Sequence, residues 1–330
     1  MLILAVSFIA SCARDTAGPR IGGTRLRVAY TSAVDIGDLP SLIALRALEE
    51  RGYTVEPTFF AQPELAVEAL ARGDVEIANG GARAFWAADA KGADLVMLME
   101  HSENGYLIAG RTEIARCEDL HDRTLALSSS GALPTAIGRA FLQQCPRVEP
   151  RILTMPHSGD RLSALLGGAV DAAVLQRADI ARLQRDAPGR FHALATPHAV
   201  SHLDLEGVFV SRRFLAEHRQ VVVDYVRERI FANRRVLDNA GLLHDEARRW
   251  PDVGSLDAGV VDGEVSAPAW TRDGGVSGES IAATVNFFVT AGALPQSVDP
   301  GAVADLSLLS DALRAVASAG PPAAAPLAPQ

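Results

Sequence analysis

The chain carries one long segment twice. Val28-Ala29-Tyr30-Thr31-Ser32 is an apolar run ending in hydroxyls, and Leu125-Ala126-Leu127-Ser128-Ser129-Ser130 is another. Gly37 or Gly131 comes next, then Leu39-Pro40-Ser41 or Leu133-Pro134-Thr135 at the start of a stretch with helical period. Val55-Glu56-Pro57 and Val148-Glu149-Pro150 follow. Each copy closes on Ala-Leu-x-x-Gly-x-Val-acid-x-Ala, beginning at Ala69 and at Ala164. Chance does not supply three matches in the same order. The period is far longer than the roughly 20–50 residues of solenoid repeats, so each copy is a whole lobe.

Each copy reads as strand, helix, strand, helix, strand. Pro40 and Pro134 fall in a first helical turn, which tolerates the missing N–H. Gly73 and Gly168 fall just past a helix, where a left-handed residue ends it without a Cβ penalty. Short apolar strands alternating with helices form parallel sheets with helical cover. The expected fold is therefore α/β: two lobes, each a mostly parallel sheet flanked by helices. Ligand loops gather at strand carboxyl ends, which puts the ligand cleft between the lobes.

Residues 95–98 and 106–109 read as strands leading out of the first lobe, with one crossing near Gly110–Arg111 and a return near Glu206–Gly207. The chain then divides into a leader and linker (1–24), the first part of lobe one (25–110), lobe two (111–206), a return to lobe one with C-terminal helices (207–318) and a tail (319–330). Residues 213–237, 242–250 and 280–291 are expected to be helical, and the Ala/Pro-rich tail to lack order.

Of the 330 residues 48% are hydrophobic and 22% charged, enough for two cores. The formal net charge of -9, without a clustered basic face, argues against a nucleic-acid partner. Residues 2–9 form an apolar run broken only by Ser7, too short to span a bilayer, and lead into Ile9-Ala10-Ser11-Cys12. That pattern reads as a secretory signal and resembles a lipobox, in which Cys12 is lipidated and anchors the protein to a membrane. No basic residue precedes the run, and a buried strand or helix is the alternative. With Cys12 lipidated, Cys117 and Cys145 stand in an oxidising compartment, either paired or as two separate buried thiols.

The order of elements resembles that of type II periplasmic binding proteins, in particular the group serving nitrate, sulfonate, taurine and thiamine-precursor importers. The resemblance is carried by Val28-Ala29-Tyr30, by the segment from Ala69 to Ala78 with Gly80-Gly81 after it, and by Leu125-x-Leu127-Ser128-Ser129-Ser130-Gly131. It continues through Gly168-x-Val170-Asp171-Ala172-Ala173-Val174, Val208-Phe209-Val210-Ser211-Arg212-Arg213-Phe214-Leu215, and Trp270 with Gly274-Gly275-x-Ser277-x-Glu279-Ser280-Ile281. It spans residues 25–318 and rests on collinear order more than on one diagnostic motif. It implies a two-lobed, extracytoplasmic, monomeric lipoprotein without a cofactor, which closes on a small molecule and delivers it to an ABC importer permease.

Candidate ligand residues lie in loops at strand ends. Tyr30-Thr31-Ser32 follows the first strand, and the glycines of Asn79-Gly80-Gly81-Ala82 admit close backbone approach to a ligand. Ser128-Ser129-Ser130-Gly131 opens a helix, where hydroxyls and free N–H groups suit an anion; the alternative is N-capping by one serine. Gln176 can hydrogen-bond a ligand, and Arg177 either clamps an anion or faces Asp179 and water. Ser158 either touches ligand or caps its helix. Glu100 and His101 either meet a ligand amine or form a hinge hydrogen bond. Trp270 is either an aromatic wall at the cleft rim or a packed side chain. A sulfonate-like anion is the first expectation for the ligand, with a neutral pyrimidine or aromatic acid as the alternative.

The same fold class hosts enzymes, so catalysis is judged on residues. A relative that makes the thiamine pyrimidine from pyridoxal phosphate requires a Schiff-base lysine and resembles a family with a cysteine-rich iron motif. Here Lys91 is the only lysine, and the sequence has no cysteine cluster. Gly-x-Ser-x-Gly, His-Glu-x-x-His, Walker and paired-cysteine motifs are absent from the sequence, and its eight histidines form no metal-ligand pattern. The expectation is a binding protein, not an enzyme; a thiamine-pyrimidine-precursor binder or an enzyme on the same fold is the alternative.

Overall fold

The computed structural model describes residues 23–32, 34–60, 62–102, 105–129, 132–194, 203–254, 261 and 270–319. Cys12 with the rest of residues 1–22, Ser130, Gly131 and residues 320–330 lie outside the described residues.

The first copy folds as β1 (Arg25–Tyr30), α1 (Leu39–Glu50), β2 (Thr54–Phe59), α2 (Pro63–Arg72) and β3 (Ile77–Gly81). Next come α3 (Ala82–Asp89), β4 (Leu95–Ser102) and β5 (Tyr106–Arg111). The second copy repeats the order as β6 (Thr124–Leu127), α4 (Leu133–Leu142), β7 (Arg151–Thr154), α5 (Ser158–Gly167) and β8 (Ala172–Gln176). After it run α6 (Arg177–Asp186), β9 (Phe191–Leu194) and β10 (Glu206–Ser211). The remaining helices are α7 (Arg212–Glu217), α8 (Arg219–Asp238), α9 (Gly241–Ala247), α10 (Pro251–Gly254), α11 (Gly278–Thr290) and α12 (Leu306–Ala319). Gly73 and Gly168 end α2 and α5 at φ 76° and 81°, the left-handed stops that the repeat requires. The helix expected over 213–237 is broken at His218, whose ψ of 35° turns the chain out of α7 before α8 begins.

Two five-stranded sheets result, ordered β2-β1-β3-β10-β4 and β7-β6-β8-β5-β9. β1 lies parallel to β2 and β3, and β6 parallel to β7 and β8. The fourth strand of each sheet runs antiparallel to both neighbours: β10 between β3 and β4, and β5 between β8 and β9. Each sheet takes that strand from the other half of the chain. The first crossing therefore falls between Ser102 and Tyr106, ahead of the Gly110–Arg111 position expected from sequence, and the return falls between Leu194 and Glu206. The apolar run of β5 is identical in kind to that of β4, so its own pattern does not say which sheet it joins.

One apolar cluster fills the face of the first sheet under α1 and α8, with Leu308, Leu309, Ala312 and Val316 of α12 in it. A second covers the opposite face beneath α2, α3 and α11 and extends to Leu125, Ile137 and Phe141 of the other lobe. The third lies between the second sheet and α5 and α6.

Cys117 and Cys145 form a disulfide with Cα atoms 5.9 Å apart and a sequence separation of 28. Closing a loop of that size removes about 3–4 kcal/mol of chain entropy from the unfolded state. Changing both cysteines to serine should lower the urea-unfolding free energy by about that amount, and dithiothreitol should do the same to the native protein but not to the double variant.

Candidate functional site

At the carboxyl ends of β1 and β3 in one lobe, and of β6 and β8 in the other, lies a cavity of about 760 Å³ lined from both lobes. The strand exchange arranges its inner edge. Glu206 opens β10 beside Gly81, the last residue of β3, and Tyr106 opens β5 beside Gln176, the last residue of β8. Both line the cavity, and the Tyr106 hydroxyl is hydrogen-bonded to the Gln176 side chain.

Of the residues singled out from the sequence, Thr31, Ser32, Gly81, His101, Ser128, Ser158 and Gln176 line the cavity. The Ser128 hydroxyl donates to the Pro156 carbonyl at 3.1 Å, so its proton is committed; the Ser158 hydroxyl oxygen accepts from the Gln176 N–H at 3.0 Å and keeps its own. Among the described residues no side chain caps α4, α5 or α6, which begin after Ala132, His157 and Gln176. Their first-turn N–H groups and positive dipole ends face the cavity wall.

Other candidates are placed elsewhere. Tyr30 is buried, stacked on Phe59 at 4.7 Å, with its hydroxyl 2.8 Å from Ser41 Oγ. Ala82 is buried and its N–H donates to the Leu205 carbonyl. Gly80 packs under Thr31: a Cβ there would sit 2.3 Å from Thr31 Cγ2, so glycine lets the loop after β1 rest on β3. Trp270 is 2% exposed and donates from Nε1 to the Gly37 carbonyl at 3.0 Å, a packed side chain and not a cleft wall. Its apolar bulk drives it inward and the neighbouring loop supplies the acceptor. Ser129 is exposed and outside the lining, and the Arg177 side chain lies outside the described residues. Glu100 turns to the Gly274–Gly275 turn, where a Cβ on Gly275 would meet its Oε2 at 2.2 Å. Lys91 is exposed and is not among the lining residues.

The sequence reading named His101 but passed over the acids of this wall. Asp35, Glu206 and His101 line the cavity, with Asp38 buried behind them. His101 Nε2 is 2.9 Å from Asp38 Oδ1, and buried Arg229 of α8 donates to the His101 carbonyl at 2.8 Å. Burial, with Asp35 and Asp38 near, pushes the Glu206 carboxyl up to about 8. Burial raises Asp38 to about 7 against the opposing effects of the Asp35 N–H and Arg229. Asp35 is pushed up by burial and by Asp38, although its side chain touches solvent at the cavity mouth. Burial and Arg229 hold the His101 ring neutral. In sequence, Asp35 and Asp38 precede Leu39-Pro40, and Glu206 stands at the crossing before an apolar strand. Acids in such places are the signal available.

Two sheets joined by two crossings, with a cavity at their facing strand ends, define a two-lobed solute-binding protein of the periplasmic type. The chain belongs to the family described as the ABC transporter, phosphonate, periplasmic substrate-binding protein, which matches residues 45–222. Members of that family work outside the cytoplasm, bind small molecules and act with a permease. No curated protein sequence matches the chain. Among solved structures, the alkanesulfonate-binding protein SsuA from Xanthomonas axonopodis pv. citri, bound to MOPS, shares 20% identity with a TM-score of 0.63, over 86% of this chain and 99% of that one. The aliphatic sulphonate binding protein SsuA from Escherichia coli gives 19% and 0.63, over 87% and 92%. The nitrate-binding protein NrtA from Synechocystis PCC 6803 gives 12% and 0.67, over 91% of each. Their fold is the one expected from the sequence, and they include the sulfonate and nitrate groups named there.

The raised carboxyls carry a signed consequence. A carboxyl whose pKa is higher in the folded than in the unfolded chain stabilises the fold at low pH and loses that contribution as pH climbs through the folded value. Buried neutral His101 acts the other way, but only below its unfolded value of about 6.5. Between about pH 6.5 and 8 the unliganded protein should therefore lose melting temperature, and Glu206→Gln should flatten that decline. A differential scanning calorimetry series in both proteins checks this.

Proposed function

We propose that this protein captures a small solute bearing an acidic group, closes its lobes over it and presents the closed form to an ABC importer permease. The observation that carries the reading is the cavity shared by both lobes, with the uncapped starts of α4, α5 and α6 on its second-lobe side. Helix starts of this kind hold carboxylate, sulfonate or phosphonate oxygens through N–H donors and the helix dipole. Ser158, whose hydroxyl proton has no acceptor among the described residues, and Gln176 stand beside them. The cavity volume lies within the roughly 300–1,000 Å³ usual for small-molecule sites. The two crossings between the lobes permit hinge closure, and ligand contacts from both walls favour the closed state. Anchoring through a lipid on Cys12 is part of the proposal and rests on Ile9-Ala10-Ser11-Cys12. Binding and delivery, without catalysis, suit a wall whose polar groups serve to hold a ligand.

The test is a thermal-shift screen of the chain without its leader against sulfonates, phosphonates, nitrate and aromatic acids, followed by calorimetry on the best solute. A bound solute raises the melting temperature by mass action. Gln176→Ala and Ser158→Ala should each weaken it about three- to tenfold, as loss of one hydrogen bond predicts. Small-angle scattering should show a smaller radius of gyration with ligand. Unchanged affinity in both variants would reject the second-lobe wall as the acid-binding side.

A further inference from the structure

We propose that Arg83 is the residue through which the first lobe grips the solute's acidic group, a specificity-determining contact that ties binding to closure. This rests on solute capture as read above and names the first-lobe partner within that same site. Two guanidinium groups line the cavity, those of Arg83 and Arg161. Arg161 is buried and donates from Nε and Nη1 to the carbonyls of Val174, Met155 and Pro156, so it braces the second-lobe wall. Arg83 is half-buried and forms no hydrogen bond or ion pair among the described residues. Its place is also locally unfavourable. It stands in the first turn of α3, which has neither a side-chain cap nor an acidic residue there. A cation at a helix start opposes the dipole. Nothing in the fold of the first lobe answers this charge.

Packing fixes which part of the second lobe Arg83 meets. Ala84, its neighbour, and Leu133, the first residue of α4, both line the cavity. Both also pack on the apolar cluster that runs from beneath α2, α3 and α11 into the second lobe. α5 and α6 lie over a separate cluster on the other face of the second sheet. The starts of α3 and α4 therefore share one side of the cleft. The start of α4 is short of donors: Pro134 has no N–H, and those of Ala132 and Thr135 go to the carbonyls of Ser129 and Ala132. It also holds no acid in its first turn, whereas α5 and α6 carry Asp160 and Asp179 in theirs. An acidic group toward the α4 end finds the Leu133 N–H and little charge from the second lobe. A guanidinium from the opposite lobe supplies two parallel charge-assisted donors, and the uncapped start of α3 adds its positive dipole end. A contact made by one lobe to a solute held on the other favours the closed state by its full differential energy.

The experiment uses the whole protein without its leader and four anions: ethanesulfonate, propylphosphonate, benzenesulfonate and benzoate. Calorimetry gives the dissociation constant of each that binds, in the unaltered protein and in Arg83→Gln, Arg83→Lys and Arg139→Gln. Arg139 is exposed on α4 and outside the lining, so its variant controls for the loss of one positive charge. Arg83→Gln should weaken the bound anion about ten- to a hundredfold, as loss of a charge-assisted hydrogen bond predicts, and Arg83→Lys should fall between. The unliganded melting temperature of Arg83→Gln should be unchanged or slightly higher, because the cation opposes the α3 dipole. At saturating anion, small-angle scattering should show less contraction in Arg83→Gln than in the unaltered protein. Affinity within about twofold of the unaltered protein overturns the role of Arg83 and leaves solute capture standing. An equal loss in Arg139→Gln reduces the effect to long-range charge and rejects the contact. Full contraction in Arg83→Gln rejects the tie to closure. If no anion binds the unaltered protein, the acidic-group reading fails and this proposal fails with it.

Discussion

The antiparallel strands β5 and β10 are what the rest of the molecule depends on. Neither sheet is complete without a strand from the other half of the chain, so the lobes are tethered twice and cannot fold as independent beads. β10 lies inside the first sheet, with Val208, Phe209 and Val210 fully buried between β3 and β4. Removing it would break hydrogen bonds to two neighbours and open two apolar clusters. On the reading proposed above, these two crossings are where the lobes would turn as they close. It also brings Tyr106 and Glu206 to the cleft, because each is the first residue of a strand entering from the other lobe.

The first lobe contains a buried polar core. Tyr30, Ser41, Tyr225 and Asn79 form a hydrogen-bonded chain across β1, α1, α8 and β3, with steps of 2.8, 3.1 and 3.3 Å. Asp38, His101 and Arg229 form a second, in which the arginine is the buried positive charge facing the acids. Buried charges of one sign are tolerated only with partners or with protons. Arg229 supplies one charge where Asp35, Asp38 and Glu206 gather.

The duplicated segment made the parallel part of both sheets legible, because proline, glycine and apolar spacing report local geometry. The positions of Gly73 and Gly168, the helix starts and the strand ends follow from chemistry within a few residues. The candidate site was legible where it coincided with strand ends, as at Thr31, Gly81, Ser128, Ser158 and Gln176. It was not legible at Asp35, Asp38 and Glu206, whose local sequence looks like loop and linker. Tyr30 and Trp270 mislead for the opposite reason: an aromatic beside a loop reads equally as ligand wall or as core. Burial decided, with Ser41 and the Gly37 carbonyl supplying their partners.

By itself the sequence determined the secondary structure of each repeat, the α/β class and the presence of two lobes. These depend on interactions between residues near one another in the chain. Only the tertiary structure decided which sheet β5 joins, where the chain crosses, and which side chains share the cleft. It also decided the electrostatics: Asp35, Asp38, His101, Glu206 and Arg229 are scattered along the chain, and their charges perturb one another only when folding brings them together and excludes water. Local periodicity carries no information about that meeting, because electrostatic coupling depends on distance in space and on the medium between the groups.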